Sequence, residues 1–320
     1  MGVGADRHQR AGFQAVDELA WPFLGQEALV AKAIPERAMR ALYQPVYPGV
    51  YAPWGIELTA RQRAEAAWLW SRRRGVVAGA SAAALLGAKW VSGALDAELV
   101  YGSRQPPPRL VVHRDTLKPG EVTTVDGIAV TVPARTAFDI GRRTRSRLVS
   151  LQRLDSLANA TGVGIADVEA VIAAHPGARD LTRLRGVLPL VDGGAESPQE
   201  SGTRLALIDA GLPRPETQIV VRDEYGGFVA RLDMGYPQFK VGIEYDGQQH
   251  WTDPRQRQRD IDRQVALADQ GWVISRVSAA LLRYRRGTLI ARVKEAMYSA
   301  GWPGQVAGAN LATPPRHVAS

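Results

Sequence analysis

Asp233 and Glu244 are the residues of this chain whose types and spacing best suit chemistry. Each lies in a short, mostly apolar stretch, Arg231-Leu232-Asp233 and Phe239-Lys240-Val241-Gly242-Ile243-Glu244-Tyr245-Asp246-Gly247. Side chains alternate faces along a strand. Alternation predicts Leu232, Met234, Phe239, Val241, Ile243 and Tyr245 on a core face. It puts Asp233, Lys240, Glu244 and Asp246 on the other, with Gly242 leaving a gap among them. Carboxylates gathered on one sheet face repel each other unless a cation lies between them, and hard oxygen ligands suit Mg²⁺ or Mn²⁺. The chemistry most often built on such a set is phosphodiester hydrolysis. The competing structural reading pairs these acids with Arg231 or Lys240.

The elements that must hold these residues are readable around them. Ser197-Pro198-Gln199-Glu200 has the form of a helix start, with Ser197 as N-cap, Pro198 in the first turn and Glu200 completing a capping box. Strands are predicted over 218–222, 228–234 and 239–246, the first two joined by the turn Asp223-Glu224-Tyr225-Gly226-Gly227. A polar helix over 255–270 ends at Gly271; a short strand at 272–277 and a helix at 288–300 follow.

This order, helix, three strands, helix, strand, helix, resembles the PD-(D/E)xK nuclease superfamily, in its branch related to the very-short-patch repair endonuclease. The resemblance covers about 191–298 and rests on Ser197, Glu200, Arg204, Arg231-Leu232-Asp233, Ile243-Glu244-Tyr245-Asp246-Gly247, His250, Arg259-Asp260 and Arg263. It implies a restriction-endonuclease-like αβββαβ core acting on DNA with Mg²⁺ or Mn²⁺. By this resemblance Asp233 and Glu244 are metal ligands, Glu200 and Asp246 assist, and His250 moves a proton or touches phosphate. One position departs from the pattern: Asp246 stands where the superfamily has a lysine. Lys240, His250, or Arg263 with Gln264 are the conceivable substitutes, so the general base stays unassigned. Arg257, Arg259 and Arg263 on the polar helix are candidates to track a phosphate backbone, and a solvated helix face explains them equally well.

The front of the chain reads differently. Short helices are expected at 26–33 and 36–43, then a hairpin wing over Val46-Tyr47-Pro48-Gly49-Val50-Tyr51. That reads as a small winged helix, with Arg37 and Arg40 on the outward face of its second helix, suited to a DNA groove, or as a helix–hairpin that merely packs on the rest of the chain. A small-residue helix at 77–87, strands at 97–100, 109–113, 123–125 and 128–132, and a helix from Pro133 follow. The phrases GVYAP, GASAAALLGA and GIAVTVPARTAFDIGR resemble the AbiEi-like antitoxins of type IV toxin–antitoxin systems over about 23–143. That resemblance implies a DNA-binding front end and an α/β middle domain, and leaves open whether a toxin partner exists. Arg135 and Asp139, four apart, read as a charge pair.

Composition bounds the remainder. At 320 residues and 45% hydrophobic the chain can build two or three cores. Having no Cys, it has no disulfides, thiolate zinc sites or thiol catalysis. Forty Lys+Arg against 32 Asp+Glu give +8, which favours an anionic partner, although nearly all the cations are Arg in an Ala- and Gly-rich chain, as GC-rich coding would also produce. The expected fold class is α/β, α+β overall. The parts are an N-terminal segment at 1–22, a winged helix at 23–58, a middle domain with helical connector at 59–190, a nuclease-like domain at 191–300 and a disordered tail at 301–320. His8, His113, His175 and His317 are scattered, without metal-ligand spacing. No apolar leader or span is visible, so a cytoplasmic protein without membrane partners is expected. Two functions stay open: a metal-dependent DNA endonuclease, for which double-strand cutting would favour a homodimer, and a non-catalytic DNA-binding regulator that keeps the nuclease fold as scaffold.

Overall fold

The computed structural model describes residues 20–102, 105–246 and 254–304, the last from the backbone alone over 254–257. The expected N-terminal segment (save its last three residues), His250 and the tail beyond 304 lie outside the described residues. The chain is α+β, with three sheets, and divides into two compact units, Met1–Gly193 and Gly194–Ser320.

The first unit opens with strand β1 (Phe23–Leu24), helices α1 (Gly25–Val30) and α2 (Glu36–Leu42), and the hairpin β2 (Tyr43–Tyr47) and β3 (Val50–Pro53). The three strands form an antiparallel sheet in the order β1-β3-β2. Gly49 turns the hairpin tip with φ +81°, a conformation that costs glycine little. Helix α3 (Ala60–Trp70) was not expected, although its signal was present: Thr59 and Gln62 make a complete capping box.

Next come β4 (Val76–Val77), α4 (Gly79–Leu85), β5 (Ala97–Val100), β6 (Leu110–His113), β7 (Val122–Val125) and β8 (Ile128–Thr131), in a mixed sheet ordered β6-β5-β4-β8-β7. Val77 thus belongs to a strand and not to the small-residue helix. The β7–β8 hairpin turns on Asp126-Gly127, both at positive φ, as the strand twist requires of a two-residue turn. Helix α5 (Pro133–Arg143) starts on a proline that lacks the N–H it would otherwise leave unpaired. Helices α6 (Arg147–Thr161), α7 (Ile165–Ala174) and α8 (Leu181–Val187) complete the unit. Its main core joins Leu24, Val50, Ala67, Val77, Leu99 and Val130.

The second unit runs α9 (Pro198–Asp209), β9 (Glu216–Arg222), β10 (Phe228–Tyr236), β11 (Val241–Asp246), α10 (Pro254–Asp269), β12 (Val273–Ser278), α11 (Ala279–Tyr284) and α12 (Arg286–Ser299). Strand order is β12-β11-β10-β9; β9, β10 and β11 are antiparallel neighbours, and β12 joins β11 in parallel after the α10 crossover.

The expected single apolar face of this sheet is split. Met234, Tyr236, Val241 and Ile243 pack with Leu289 and Val293 of α12, whereas Leu232 packs with Leu267 of α10, Trp272 and Ile274. The β10–β11 pairing ends at Met234↔Ile243, and beyond it the Asp233 carboxylate takes the N–H of Tyr245 at 2.7 Å. Helices cover both faces, so both must be apolar.

No single helix among the described residues is long and apolar enough to cross a membrane; α6 and α7 meet the length and composition test only as a pair bent by 111°.

Candidate functional site

Four acids converge in the second unit. Glu200 sits in the first turn of α9, where the Ser197 hydroxyl accepts the Glu200 N–H (3.2 Å) and donates to one Glu200 oxygen (2.7 Å). The other oxygen accepts the N–H of Glu196 (2.9 Å), so the capping box closes one residue earlier than its usual form. Asp233, on β10, and Glu244, on β11, lie on neighbouring strands, and Glu196 is the fourth acid. Burial pushes the Asp233 carboxyl above its ordinary value, with Glu244 and Glu196 adding to the rise against the N–H of Tyr245. Burial also raises Glu200, with Asp233 and Glu196 adding repulsion.

Cations of the protein itself answer part of this charge. Arg263, on α10, grips Glu244 with both terminal nitrogens at 2.6 and 3.0 Å, the bidentate form that carboxylate and guanidinium favour. Arg231 reaches Glu196 at 3.0 Å. The competing pairing of the acids with nearby cations therefore holds in kind, but the cation that meets Glu244 is Arg263. Lys240 corrects the sequence reading. Pro237 starts a 3₁₀ turn through Phe239, Lys240 takes φ +50°, and the strand begins only at Val241. Its ammonium donates to the Gln270 carbonyl at 2.8 Å and does not join the acid face. Gly242 does not leave a ligand gap either: a side chain there would meet Ile274 at 2.6 Å and Leu232 at 2.8 Å.

Asp246 ends β11, half-buried. Arg259 is exposed on α10, and for Arg257 only the helical backbone is described. Among the described residues no group of three or more His, Asp or Glu side chains could hold a metal ion. Glu244 is taken up by Arg263, and Glu200 by its own helix start. As they stand, these acids do not fit a divalent cation.

The first unit carries the second set of candidates. Arg37 and Arg40 are exposed on α2, as expected, with Arg40 forming an i,i+4 pair with Glu36 at 2.8 Å. The turn after α3, Arg72-Arg73-Arg74, went unnoticed in the sequence. Arg72 and Arg73 are both left-handed, at φ 58° and 61°, which costs non-glycine residues about 1 kcal/mol or more each. Arg73 binds Glu27 of α1 through both terminal nitrogens (2.5 and 2.7 Å) and lies over the Trp68 ring.

Behind the mixed sheet runs an ionic network that also eluded the sequence reading, apart from the Arg135–Asp139 pair, which is formed at 3.1 Å. Arg135 bonds Glu121 at 2.6 Å, and Glu121 bonds His175 at 2.6 Å. Arg142 and Arg143 both bind Asp115, and His113 bonds Glu98 at 3.0 Å. Burial would raise Glu98, Asp115 and Glu121, yet each is held below its ordinary value. His113 and the Ala80 N–H act on Glu98, Arg143 and Arg142 on Asp115, and the Lys118 N–H, His175 and Arg135 on Glu121. His113 and Asp115 also line an open cleft of about 450 Å³ with Val100, Tyr101, Gly102 and Arg114. The network ties β5, the segment after β6, α5 and the end of α7 together, a structural task that accounts for these charges.

Comparison with known proteins places the chain. Residues 75–190 match the model of the AbiEi antitoxin C-terminal domain. The uncharacterized proteins MT2308 and Rv2248 of Mycobacterium tuberculosis, strains CDC 1551 / Oshkosh and H37Rv, are each 32% identical to it over 189 residues, 59% of this chain and 68% of theirs. No solved structure matches it. With 32% identity and more than two thirds of their length covered, these relatives place the chain in the family of the two mycobacterial proteins, and its residues 75–190, behind the helix–wing module, match the AbiEi antitoxin C-terminal domain.

Proposed function

We propose that this protein is a DNA-binding regulator of the antitoxin type, whose helix–wing front end contacts duplex DNA and whose second unit uses its nuclease-like order of elements as a scaffold. The observation that carries this reading is the antitoxin-domain match at 75–190, directly behind that front end. The outward Arg37 and Arg40 of α2, and the net charge of +8, suit a polyanion. The engagement of Glu244 by Arg263 supports the scaffold role of the second unit. A partner toxin, where one exists, would be the protein it restrains. The test is anisotropy titration of labelled duplex DNA with the full chain, beside Arg37→Ala with Arg40→Ala. Binding that weakens in the variant supports the reading; failure of folded wild-type protein to bind any duplex sinks it.

A second reading, metal-dependent phosphodiester hydrolysis, is favoured by one observation. Glu200, buried, and Asp233, half-buried, lie near further acids and are raised above their ordinary values, which is a set that a bound cation would relieve. It requires Arg263 to release Glu244. Plasmid and labelled strands incubated with Mg²⁺, Mn²⁺ or EDTA test it, beside Asp233→Ala and Glu244→Ala. Metal-dependent cutting abolished by both substitutions would replace the regulator reading with this one.

A further inference from the structure

We propose that the Arg72-Arg73-Arg74 turn is a second DNA contact, a phosphate clamp that extends the helix–wing surface along the duplex backbone. The inference rests on the DNA-binding reading above and deepens it, because neither resemblance nor spacing pointed to this turn. Its position is set by Arg73, whose bidentate pair with Glu27 and stacking on Trp68 dock the turn against α1 of the helix–wing module. Arg72 then faces the wing: its guanidinium lies 4.0 Å from where a side chain on Gly49, at the wing tip, would begin. Arg74 lies over the Tyr101 ring with 5.8 Å to its centroid, which holds the guanidinium in place without neutralising it. All three arginines are exposed, and among the described residues neither Arg72 nor Arg74 forms an ion pair with a carboxylate.

The backbone favours an outward role. The N–H groups of Arg72 and Arg73 are spent closing the end of α3, on the carbonyls of Leu69 (2.9 Å) and Trp68 (3.1 Å). Binding capacity therefore resides in the guanidinium groups alone. Two consecutive left-handed residues with large side chains stand where glycine would serve the turn with less strain, and such outliers cluster at functional sites. The chemistry presented is two exposed guanidinium groups, Arg72 beside the wing tip and Arg74 over Tyr101, neither in an ion pair with a carboxylate among the described residues, which suits phosphates of a duplex better than a base edge.

The experiment is the salt dependence of binding by the full chain to a labelled duplex of arbitrary sequence, because a phosphate contact is indifferent to sequence. Arg72→Ala with Arg74→Ala is expected to lower the slope of log K against log salt by about 2, roughly 0.9 for each lost contact, and to weaken binding near physiological salt on the order of tenfold. Arg72→Lys with Arg74→Lys is expected to restore most of both, which a merely structural role for the turn would not. Unchanged melting of the alanine variant establishes that the fold is retained, and if it does not fold, Arg72→Gln with Arg74→Gln takes its place: a wild-type slope in that neutral variant overturns the clamp. A wild-type slope in a folded alanine variant also overturns it, including the case where the variant instead loses an acidic protein partner. Absence of binding by wild-type protein removes the DNA-binding reading itself, a different result from binding with an unaltered slope.

Discussion

Arg263 and Glu244 illustrate how single residues set what the second unit can do. Glu244 is 12% exposed and Arg263 29%, so the pair is largely shielded from water. Arg263→Ala leaves a carboxylate there without its partner and should cost about 2 kcal/mol, a buried-pair loss discounted for partial exposure. Urea unfolding measures it, and adding Glu244→Gln should recover part of the loss. Asp233 has the opposite disposition. Its folded pKa is raised by burial and by Glu244 and Glu196, so its stabilising contribution is complete below the ordinary aspartate value and is lost as pH rises through the raised one. Asp233→Asn keeps an acceptor for the Tyr245 N–H and removes that cost. It should melt higher than wild type at neutral pH, with the difference closing near pH ~4. A variant that melts lower at every pH would refute the account of Asp233.

At the scale of elements, the β10–β11 pair shows what alternation conveys and where it stops. Asp233 and Glu244 were legible as neighbours because a two-residue period leaves little choice of face. Lys240 was misplaced because Pro237 takes the preceding residues into a 3₁₀ turn, and no alternation holds across it. Gly242 reads in the sequence as a gap among acids, whereas it lies directly beside Gly235 on β10 under the side chains of Leu232 and Ile274. Gly242→Ala should therefore destabilise the unit by about 1–3 kcal/mol, the usual cost of overpacking a core. Chemical denaturation checks it; a neutral effect would mean that Leu232 and Ile274 have room to move. The small-residue α4 and the Pro133 start of α5 were readable from composition and helix-start chemistry. Helix α3 was passed over even though Thr59 and Gln62 mark its start.

Across the whole molecule, the ionic network of the first unit and the acid cluster of the second answer acid in opposite senses, although Glu65 of the first unit is also raised by burial. Glu98, Asp115 and Glu121 in the first unit are lowered, so their stabilisation is present above ordinary carboxylate values and is lost as pH falls through their lowered ones. Asp233 and Glu200 in the second are raised, so the second unit gains from these two as pH falls toward ~4. Hydrogen exchange on the full chain, corrected for intrinsic rates, should show peptides around Glu98 and Glu121 losing protection below pH ~4 ahead of those around Asp233. Parallel loss would contradict the assignment of these shifts. By itself the sequence determined the local matters: the helix start at Ser197, the wing with Gly49 at its tip, the Arg135–Asp139 pair, the order of elements around Asp233 and Glu244. These depend on propensity and on side chains within one turn or one hairpin. Only the tertiary structure decided which distant partners meet. Arg263 reaches Glu244 across 19 residues, Arg73 reaches Glu27 across 46, and His175 reaches Glu121 across 54. Such pairs arise when helices and strands pack against one another, so no local pattern announces them, and they decide whether a charge is a site, a clamp or a strut.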